Sequence, residues 1–192
     1  MSSPRPTRLA VLLAAGGGKR FTGPGHKLLA PLRGSTVLAH SLAAMVESGV
    51  GDCLVVHGAV DLTNEVGGVT VLHNPDWETG QRSSVVAALR HAADHGYDSV
   101  VIGLGDQPFV TPDAWRAVAE TDGEIVVATY DGTRGNPVKL AGSTWELFRV
   151  TDGDADAGAR TLMHLHPELV REVACKGVSA DIDTPEDLAQ WT

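Results

Sequence analysis

LAVLLAAGGGKRFTGPGHKLL, which runs from Leu9 to Leu29, carries a strand signal and a loop signal in one segment. An apolar, β-favouring start gives way to three consecutive glycines and then to the cations Lys19, Arg20 and Lys27. Glycines let successive backbone N–H groups turn toward an anion, and a lysine adds a point charge. The segment therefore predicts a strand that ends in a phosphate-binding loop. A glycine-rich surface turn with solvated cations explains the same residues.

The spacing of these glycines excludes two familiar phosphate loops. The segment has no G-x-x-x-x-G-K-[ST] pattern, and Gly16 and Gly18 followed by Phe21 do not complete G-x-G-x-x-G. The rest of the chain must therefore decide between a phosphate site and a plain turn.

Length and charge favour one domain and a small anionic ligand. The 192 residues fit a single domain, 1–192, with a sizeable core. A formal charge of −9 argues against nucleic acid as a partner, because most of the surface would repel it. Residues 1–40 nevertheless carry six cations and no acid. We therefore expect a region of positive charge beside the glycine loop, on a protein that is acidic overall.

Cysteine usage and hydropathy predict a cytoplasmic protein without membrane partners. Cys53 and Cys175 lie in apolar runs outside any C-x-x-C pattern, which is typical of reduced core thiols. The N-terminal MSSPRPTR lacks an apolar leader core, and no apolar run approaches the ~18 residues of a membrane span.

Apolar runs alternate with amphipathic segments along the chain. Strands are predicted at 9–13, 53–57, 69–73, 99–105, 124–130 and 170–174, and helices at 36–47, 83–93, 112–120, around 145, at 157–165 and from 185. Strands rich in Val, Ile and Leu throughout indicate a sheet covered on both faces. The fold class is therefore α/β, a three-layer sandwich with a mostly parallel, Rossmann-like sheet. An antiparallel edge strand around Val138 completes the prediction.

Two places in the chain carry acidic residues that suit a metal ion. Asp106 in GLGDQP comes directly after an apolar strand, where a carboxylate facing a phosphate loop suits Mg²⁺. Thr111 is the better cap for the next helix, which favours a metal role for Asp106 over a capping role. Asp181 and Asp183 are expected on one side of a strand, with Asp183 completing the metal site. Solvated carboxylates are an equally good interpretation of that last segment.

Three further loops carry weaker signals. Ser83 or Ser84 in NPDWETGQRSS is a candidate helix N-cap, and the same hydroxyls with Gly80 suit a ribose or phosphate oxygen. TYDGTRGNPV offers Arg134 for a second anion, although it is also ordinary turn chemistry. DGDADAG, at 152–158, resembles a calcium loop without its final glutamate, and is interpreted as a solvated helix start.

Taken in order, these segments resemble the MobA-like nucleotidyltransferase family, most closely its molybdenum-cofactor cytidylyltransferase (MocA-like) branch. The matching segments are LAAGGGKRF with Lys27, NPDWETGQRSS, GLGDQP, RGNPV, DAGAR and DIDTPEDL. The resemblance implies the nucleotide-diphospho-sugar transferase (GT-A-like) fold. It also implies Mg²⁺-dependent transfer of NMP, with CMP favoured, from an NTP to a phosphorylated acceptor such as molybdopterin, with release of pyrophosphate.

The resemblance also assigns roles to residues. Arg20 and Lys27 would contact phosphates and act with Asp106 in catalysis, and Asp106 and Asp183 would carry Mg²⁺. The nucleotide would be bound by Leu13, Ala14, Ala15, Gly16, Gly17, Gly18, Gly80, Ser83 and Ser84, and the acceptor by Arg134, Gly135 and Asn136.

This chain departs from the family pattern in several places. Gly18 stands where the family has serine, the insert before Lys27 is longer, and Asn136 replaces the histidine of RGHPV. Ala15 in place of a second glycine favours CTP over GTP, by resemblance.

Two other function classes fit the same motifs. An NAD(P)H-dependent oxidoreductase of the nicotine blue type would use the glycine loop for its cofactor, but it leaves Asp106 and Asp183 unexplained. A molybdopterin-binding chaperone would hold the cofactor and hand it to a partner enzyme without turnover.

Overall fold

The strands of the protein lie within residues 7–150 and 158–192, which are the residues that the computed structural model describes. They are β1 (Arg8–Ala14), β2 (Pro31–Leu32), β3 (Ser35–Thr36), β4 (Asp52–His57), β5 (Thr70–His73), β6 (Ser99–Leu104), β7 (Ile125–Tyr130), β8 (Thr133–Ala141) and β9 (Val170–Ala174). β2 and β3 form a small hairpin, and the other strands form one sheet.

Helices fill the connections between these strands. They are α1 (Val37–Ser48), α2 (Gln81–Asp94), α3 (Pro112–Glu120), α4 (Trp145–Val150), α5 (Gly158–Leu165) and α6 (Pro185–Ala189). None of the helices within the described ranges is long and apolar enough to cross a bilayer. The DGDADAG segment at 152–158, predicted as a solvated helix start, lies outside the described residues except for Gly158, where α5 begins.

The sheet has the order β5-β4-β1-β6-β8-β7-β9. All neighbouring pairs are parallel except those that β8 makes with β6 and β7. The predicted mostly parallel α/β sheet is confirmed, but the prediction of an edge position for the strand around Val138 is wrong. Val138 and Leu140 are buried in the core, so the interior of the sheet stabilises β8 better than an edge would.

Alternate residues of β1 face opposite helical layers, as the two-residue period of a strand requires. Leu9, Val11 and Leu13 pack in a core that is shared with α2, α4 and α5. Ala10 and Leu12 pack in a second core with α1 and α3. The three-layer sandwich is therefore confirmed. The free cysteines are half-buried at the margin of the second core.

Local capping chemistry fixes the helix starts, in one case differently from the prediction. The Thr111 hydroxyl accepts a hydrogen bond from Ala114 N–H, which confirms it as the cap of α3. Neither Ser83 nor Ser84 caps α2, because Gly80 occupies that position. Gly80 has φ 113°, ψ 172°, a conformation that favours glycine. The serines consequently lie inside the first turn of α2.

The segment with Asp181 and Asp183 is irregular rather than a strand, so that prediction is wrong. It docks through Ile182, which is fully buried and donates its N–H to the Asp106 carbonyl at 2.9 Å. Gln107 Nε2 also donates to the Ser179 carbonyl and to Asp181 Oδ1, so side-chain contacts replace a strand ladder here. The geometry still brings this segment to the carboxyl end of β6.

Candidate active site

The glycine loop leaves the carboxyl end of β1 and is shaped by close contacts. Gly18 has φ +58°, in the left-handed region, and its carbonyl accepts a hydrogen bond from Phe21 N–H at 2.9 Å. A Cβ on Gly17 would lie 3.0 Å from the Trp77 ring, whereas a Cβ on Gly16 would meet open space. The loop is therefore open on the Cβ side of Gly16, and Gly17 lets Trp77 approach the loop.

His26 holds the loop in place, a role that sequence reasoning missed. Its Nε2 lies 3.0 Å from the Gly16 carbonyl oxygen, and its Nδ1 accepts a hydrogen bond from Leu28 N–H at 3.3 Å. Together these bonds select the neutral tautomer with the proton on Nε2. Burial lowers the pKa of His26, against the opposing effect of the Gly16 carbonyl. His26 thus closes the insert that precedes Lys27.

The charged centre of the site is built from two carboxylates and two cations. Lys27 Nζ lies 2.6 Å from Asp106 Oδ2 and 2.8 Å from Asp183 Oδ1. Arg20 Nη2 lies 2.9 Å from Asp183 Oδ2. The Lys27 side chain is 9 % exposed, whereas that of Arg20 is 75 % exposed. Lys27 is therefore the principal counter-ion of both carboxylates.

Burial and charge act in opposite directions on the Lys27 ammonium. Burial alone would lower its pKa, but the Asp106 and Asp183 carboxylates raise the pKa above its ordinary value. Asp106 Oδ1 is buried and has no hydrogen-bond partner among the described residues. The cluster of two carboxylates and two cations thus leaves one carboxylate oxygen without a hydrogen-bond partner among the described residues.

The C-terminal segment presents Asp183 through a local capping box. Asp187 Oδ2 accepts hydrogen bonds from the N–H groups of Asp183, at 3.1 Å, and of Thr184, at 2.9 Å. The Thr184 hydroxyl in return accepts from Asp187 N–H, which confirms the predicted cap of α6. The Asp183 backbone is therefore fixed while its carboxylate points toward Lys27.

A cavity of about 230 Å³ lies over this charged centre. Its lining includes the residues predicted for catalysis or metal binding, Arg20, Lys27, Asp106 and Asp183, and four of those predicted to bind the nucleotide, Leu13, Ala14, Gly16 and Gly18. Lys19 and Leu28 also line the cavity but were not predicted as site residues. Three cations and two carboxylates give this lining a positive formal charge. Residues from both ends of the chain thus meet at the carboxyl ends of β1 and β6.

A second cavity, of about 300 Å³, opens on the Trp77 side of the glycine loop. Its lining includes Ala15, Gly17, Gly80 and Ser84, which were predicted to bind the nucleotide. Ser83 instead lines a separate cleft beside α2. Trp77, Glu78 and Gln81 also line the second cavity but were not predicted. Their sequence signal was that they lie with Gly80 in NPDWETGQRSS, one of the segments that resemble the family.

A third cavity, of about 630 Å³, contains the predicted acceptor residues Arg134, Gly135 and Asn136. Val127 pairs with Val138 and Ala128 with Gly135, so Asn136 and Pro137 form a bulge in β8. The Nε of Arg134 is already bonded to Glu172 Oε1 at 2.7 Å. The bulge therefore presents Asn136 to the cavity while Glu172 restrains Arg134.

Several other polar groups that were not predicted to bind the acceptor also line this third cavity. Arg160 and His164 reach it from α5, and Gln107 and Asp181 from the Asp106 side. Gln107 donates from Nε2 to Asp181 Oδ1 at 2.7 Å. Partial burial, and then the nearby Asp106 carboxylate, raise the pKa of Asp181. Only the tertiary fold brings α5 to this cavity.

The sequence model of the MobA-like NTP transferase domain matches residues 10–172, from β1 into β9. The chain belongs to the MobA-like NTP transferase family. This membership and the fold make the protein a nucleotidyltransferase-type enzyme, with the sheet of the nucleotide-diphospho-sugar transferases.

Proteins that are similar to this member of the NTP transferase family have names that indicate different roles. It is 33% identical to the nicotine blue oxidoreductase of Paenarthrobacter nicotinovorans, over 95% of each chain. It is 30% identical to the purine catabolism protein PucB of Bacillus subtilis, over 95% of this chain and 94% of that one. The crystal structure of Rv0371c from Mycobacterium tuberculosis has a TM-score of 0.81 and 27% identity, covering 97% of this chain and 98% of the other. A complex of Rv0371c with manganese is also known.

Proposed function

We propose that this protein transfers a nucleoside monophosphate, with CMP favoured, from an NTP to a phosphorylated small molecule in the cytoplasm, with release of pyrophosphate. The observation that carries the proposal is the convergence of Asp106 and Asp183 on Lys27 beneath the glycine loop. Nucleotidyl transfer needs charge neutralisation and alignment rather than a protein nucleophile. This cluster, with the loop above it, offers both.

The carboxylates fit a divalent cation such as Mg²⁺. Asp106 Oδ1 is buried without a partner among the described residues, and hard cations prefer carboxylate oxygens. Within those residues no group of three or more His, Cys, Asp or Glu side chains could hold a metal by itself. Asp106 and Asp183 would therefore share the ion with phosphate oxygens and water. When bound, it supplies charge neutralisation at the phosphates.

The residues of the first cavity have distinct tasks in the transfer. Arg20 and Lys19 are exposed cations at the cavity, suited to the β- and γ-phosphates, which leave as pyrophosphate. An oxygen of the acceptor phosphate forms the new bond to the α-phosphorus as the bond to pyrophosphate breaks. The loop at 16–18 and Lys27 would stabilise the negative charge that shifts onto the leaving oxygens.

The base is assigned to the second cavity. Trp77 packs against Gly17 and gives one wall of this cavity an aromatic surface. Ala15, buried at the end of β1, adds a methyl group that narrows the slot. A narrower slot favours a pyrimidine over a purine. CTP is therefore the proposed donor.

The acceptor is assigned to the third cavity, next to Asp106. Asn136 and Arg134 come from β8, and Arg160 and His164 come from α5. An apolar floor that includes Leu104, Val127, Val138 and Met163 would hold a ring system. The proposed acceptor is thus a phosphomonoester with a flat organic body, such as molybdopterin. Mass spectrometry of small molecules that copurify from the native host would identify it.

Similarity to nicotine blue oxidoreductase supports a second candidate, an NAD(P)H-dependent reduction. The glycine loop and the Trp77 cavity would then hold a dinucleotide. Hydride transfer makes no use of Asp106 and Asp183, whereas nucleotidyl transfer depends on them. The carboxylate pair is thus what separates the two functions.

One assay tests both candidates. The purified protein is incubated with Mg²⁺, the copurified acceptor and either CTP or GTP, and pyrophosphate release is measured. Parallel samples contain NADH or NADPH in place of the nucleotide, and absorbance at the nicotinamide band is followed. Pyrophosphate release that depends on Asp106 supports the transferase. NAD(P)H oxidation without pyrophosphate release supports the oxidoreductase and contradicts the main proposal.

A further inference from the structure

The Lys27 ammonium lies where a cation shared by the two carboxylates would be expected. It is within 2.6 Å of Asp106 Oδ2 and 2.8 Å of Asp183 Oδ1, and its side chain is almost fully enclosed. A charge-assisted contact of this kind is stronger than a neutral hydrogen bond, especially away from water. A divalent cation can take the position between Asp106 Oδ2 and Asp183 Oδ1 only if the ammonium leaves it.

The charge of the cavity also opposes a free metal ion. Lys19, Arg20 and Lys27 outnumber the two carboxylates of the lining, so the cavity is positive before any metal enters. A divalent ion alone would add to this positive charge. A metal–triphosphate complex would instead bring net negative charge, with oxygens that the ammonium can contact.

We propose that Lys27 closes the carboxylate pair to free divalent cations, so that the site accepts the metal only together with a nucleotide polyphosphate. This inference rests on the proposed function, because it takes the carboxylates as the metal site. Lys27 moves from the carboxylates to the arriving phosphates and leaves Asp106 and Asp183 to the metal. Because of the lysine, the site recognises the metal–nucleotide complex rather than the free metal ion.

Lys27 and Arg20 both contact Asp183, but they differ in exposure and therefore in their expected effect on metal binding. Arg20 also contacts Asp183, but its side chain is largely in solvent, and exposed ion pairs contribute little. Lys19 lines the same cavity, and no ion pair joins it to either carboxylate among the described residues. Lys19 is therefore a matched control for the removal of one positive charge.

The test measures Mn²⁺ binding without nucleotide, by the electron paramagnetic resonance signal of the free ion. Full-length wild type is compared with Lys27→Met and Lys19→Met. We expect Lys27→Met to bind Mn²⁺ about tenfold to a hundredfold more tightly than wild type, as removal of a charge-assisted competitor predicts. Lys19→Met should gain about fivefold or less. Equal affinities in wild type and Lys27→Met, or equal gains in both variants, would overturn the proposal.

Two further variants keep the test decisive. If Lys27→Met does not fold by circular dichroism, Lys27→Gln, which is also neutral, replaces it with the same expected gain. Asp106→Asn combined with the Lys27 substitution should lose the added affinity, and retained affinity would place the metal elsewhere and overturn the proposal. Pyrophosphate release from CTP is measured separately. A higher Mn²⁺ affinity in the Lys27 variant, without any pyrophosphate release, would support the closed site and contradict the proposed transfer.

Discussion

The imidazole Nε2 of His26 lies 3.0 Å from the Gly16 carbonyl oxygen and ties the end of the insert to the start of the glycine loop. Through Leu28 N–H the same ring also fixes the turn that carries Lys27. The longer insert before Lys27 is therefore held in place by the His26 hydrogen bonds. It positions both the backbone and the ammonium of the proposed phosphate site.

Replacing His26 should loosen this loop and weaken nucleotide binding. His26→Ala removes two hydrogen bonds, each about 1 kcal/mol, and we expect a loss of up to about tenfold in affinity for a nonhydrolysable CTP analogue. Calorimetry on wild type, His26→Ala and the control His95→Ala checks it. His95 lies at the far end of α2. Equal affinity in all three proteins would contradict the bracing role.

His26 should also make stability depend on pH. Its folded pKa is lowered, so the unfolded chain binds the proton more readily, and stability falls as pH drops below about 6.5 toward the folded value. Urea unfolding at pH 7.5 and 5.5 should show a smaller loss for His26→Gln than for wild type. A larger loss for the variant would reverse the assigned sign.

Asp106→Asn should remove metal-dependent transfer and leave the fold intact. Loss of a carboxylate at a phosphoryl-transfer centre removes several kcal/mol of transition-state stabilisation, so turnover should fall by at least about a hundredfold. Asp183→Asn should behave alike, whereas Asp113→Asn on the exposed face of α3 should not. Pyrophosphate release and thermal melting are measured together. Near wild-type turnover in Asp106→Asn would exclude it as a metal ligand.

CTP should bind more tightly than GTP, and Ala15→Gly should reduce that preference. The methyl group of Ala15 borders the Trp77 cavity, and its removal makes room for a purine. Calorimetry with all four nucleotides in Mg²⁺ tests both proteins. A wild-type preference for GTP would contradict the steric argument.

Gly103→Ala should destabilise the fold, because its Cβ would lie 2.4 Å from Cζ2 of the buried Trp115. Overpacking of this kind costs about 1–3 kcal/mol. Gly67→Ala is the control, since its Cβ would meet nothing within 4 Å. Chemical denaturation should separate the two variants. Equal unfolding free energies would show that Trp115 repacks without cost.

Elements whose ends are set by neighbouring residues could be predicted from the sequence alone. Pro112–Glu120 is confirmed as α3 because Thr111 and Pro112 define its start locally. β9 is confirmed at 170–174, and the cap of α6 is confirmed at Thr184. The spacing of glycines, Asp106 and Asp183 in a parallel α/β pattern also predicted one shared site at the strand ends.

The sequence alone determined the class of fold, the strand that leads into the glycine loop and the residue types of the site, because these depend on periodicity and on contacts between near neighbours. Only the tertiary structure decided that β8 lies inside the sheet, that α5 borders the third cavity, and that Lys27 binds carboxylates 79 and 156 residues away. Those contacts join segments that are far apart in the chain, and no local pattern records which distant partner a buried charge will find.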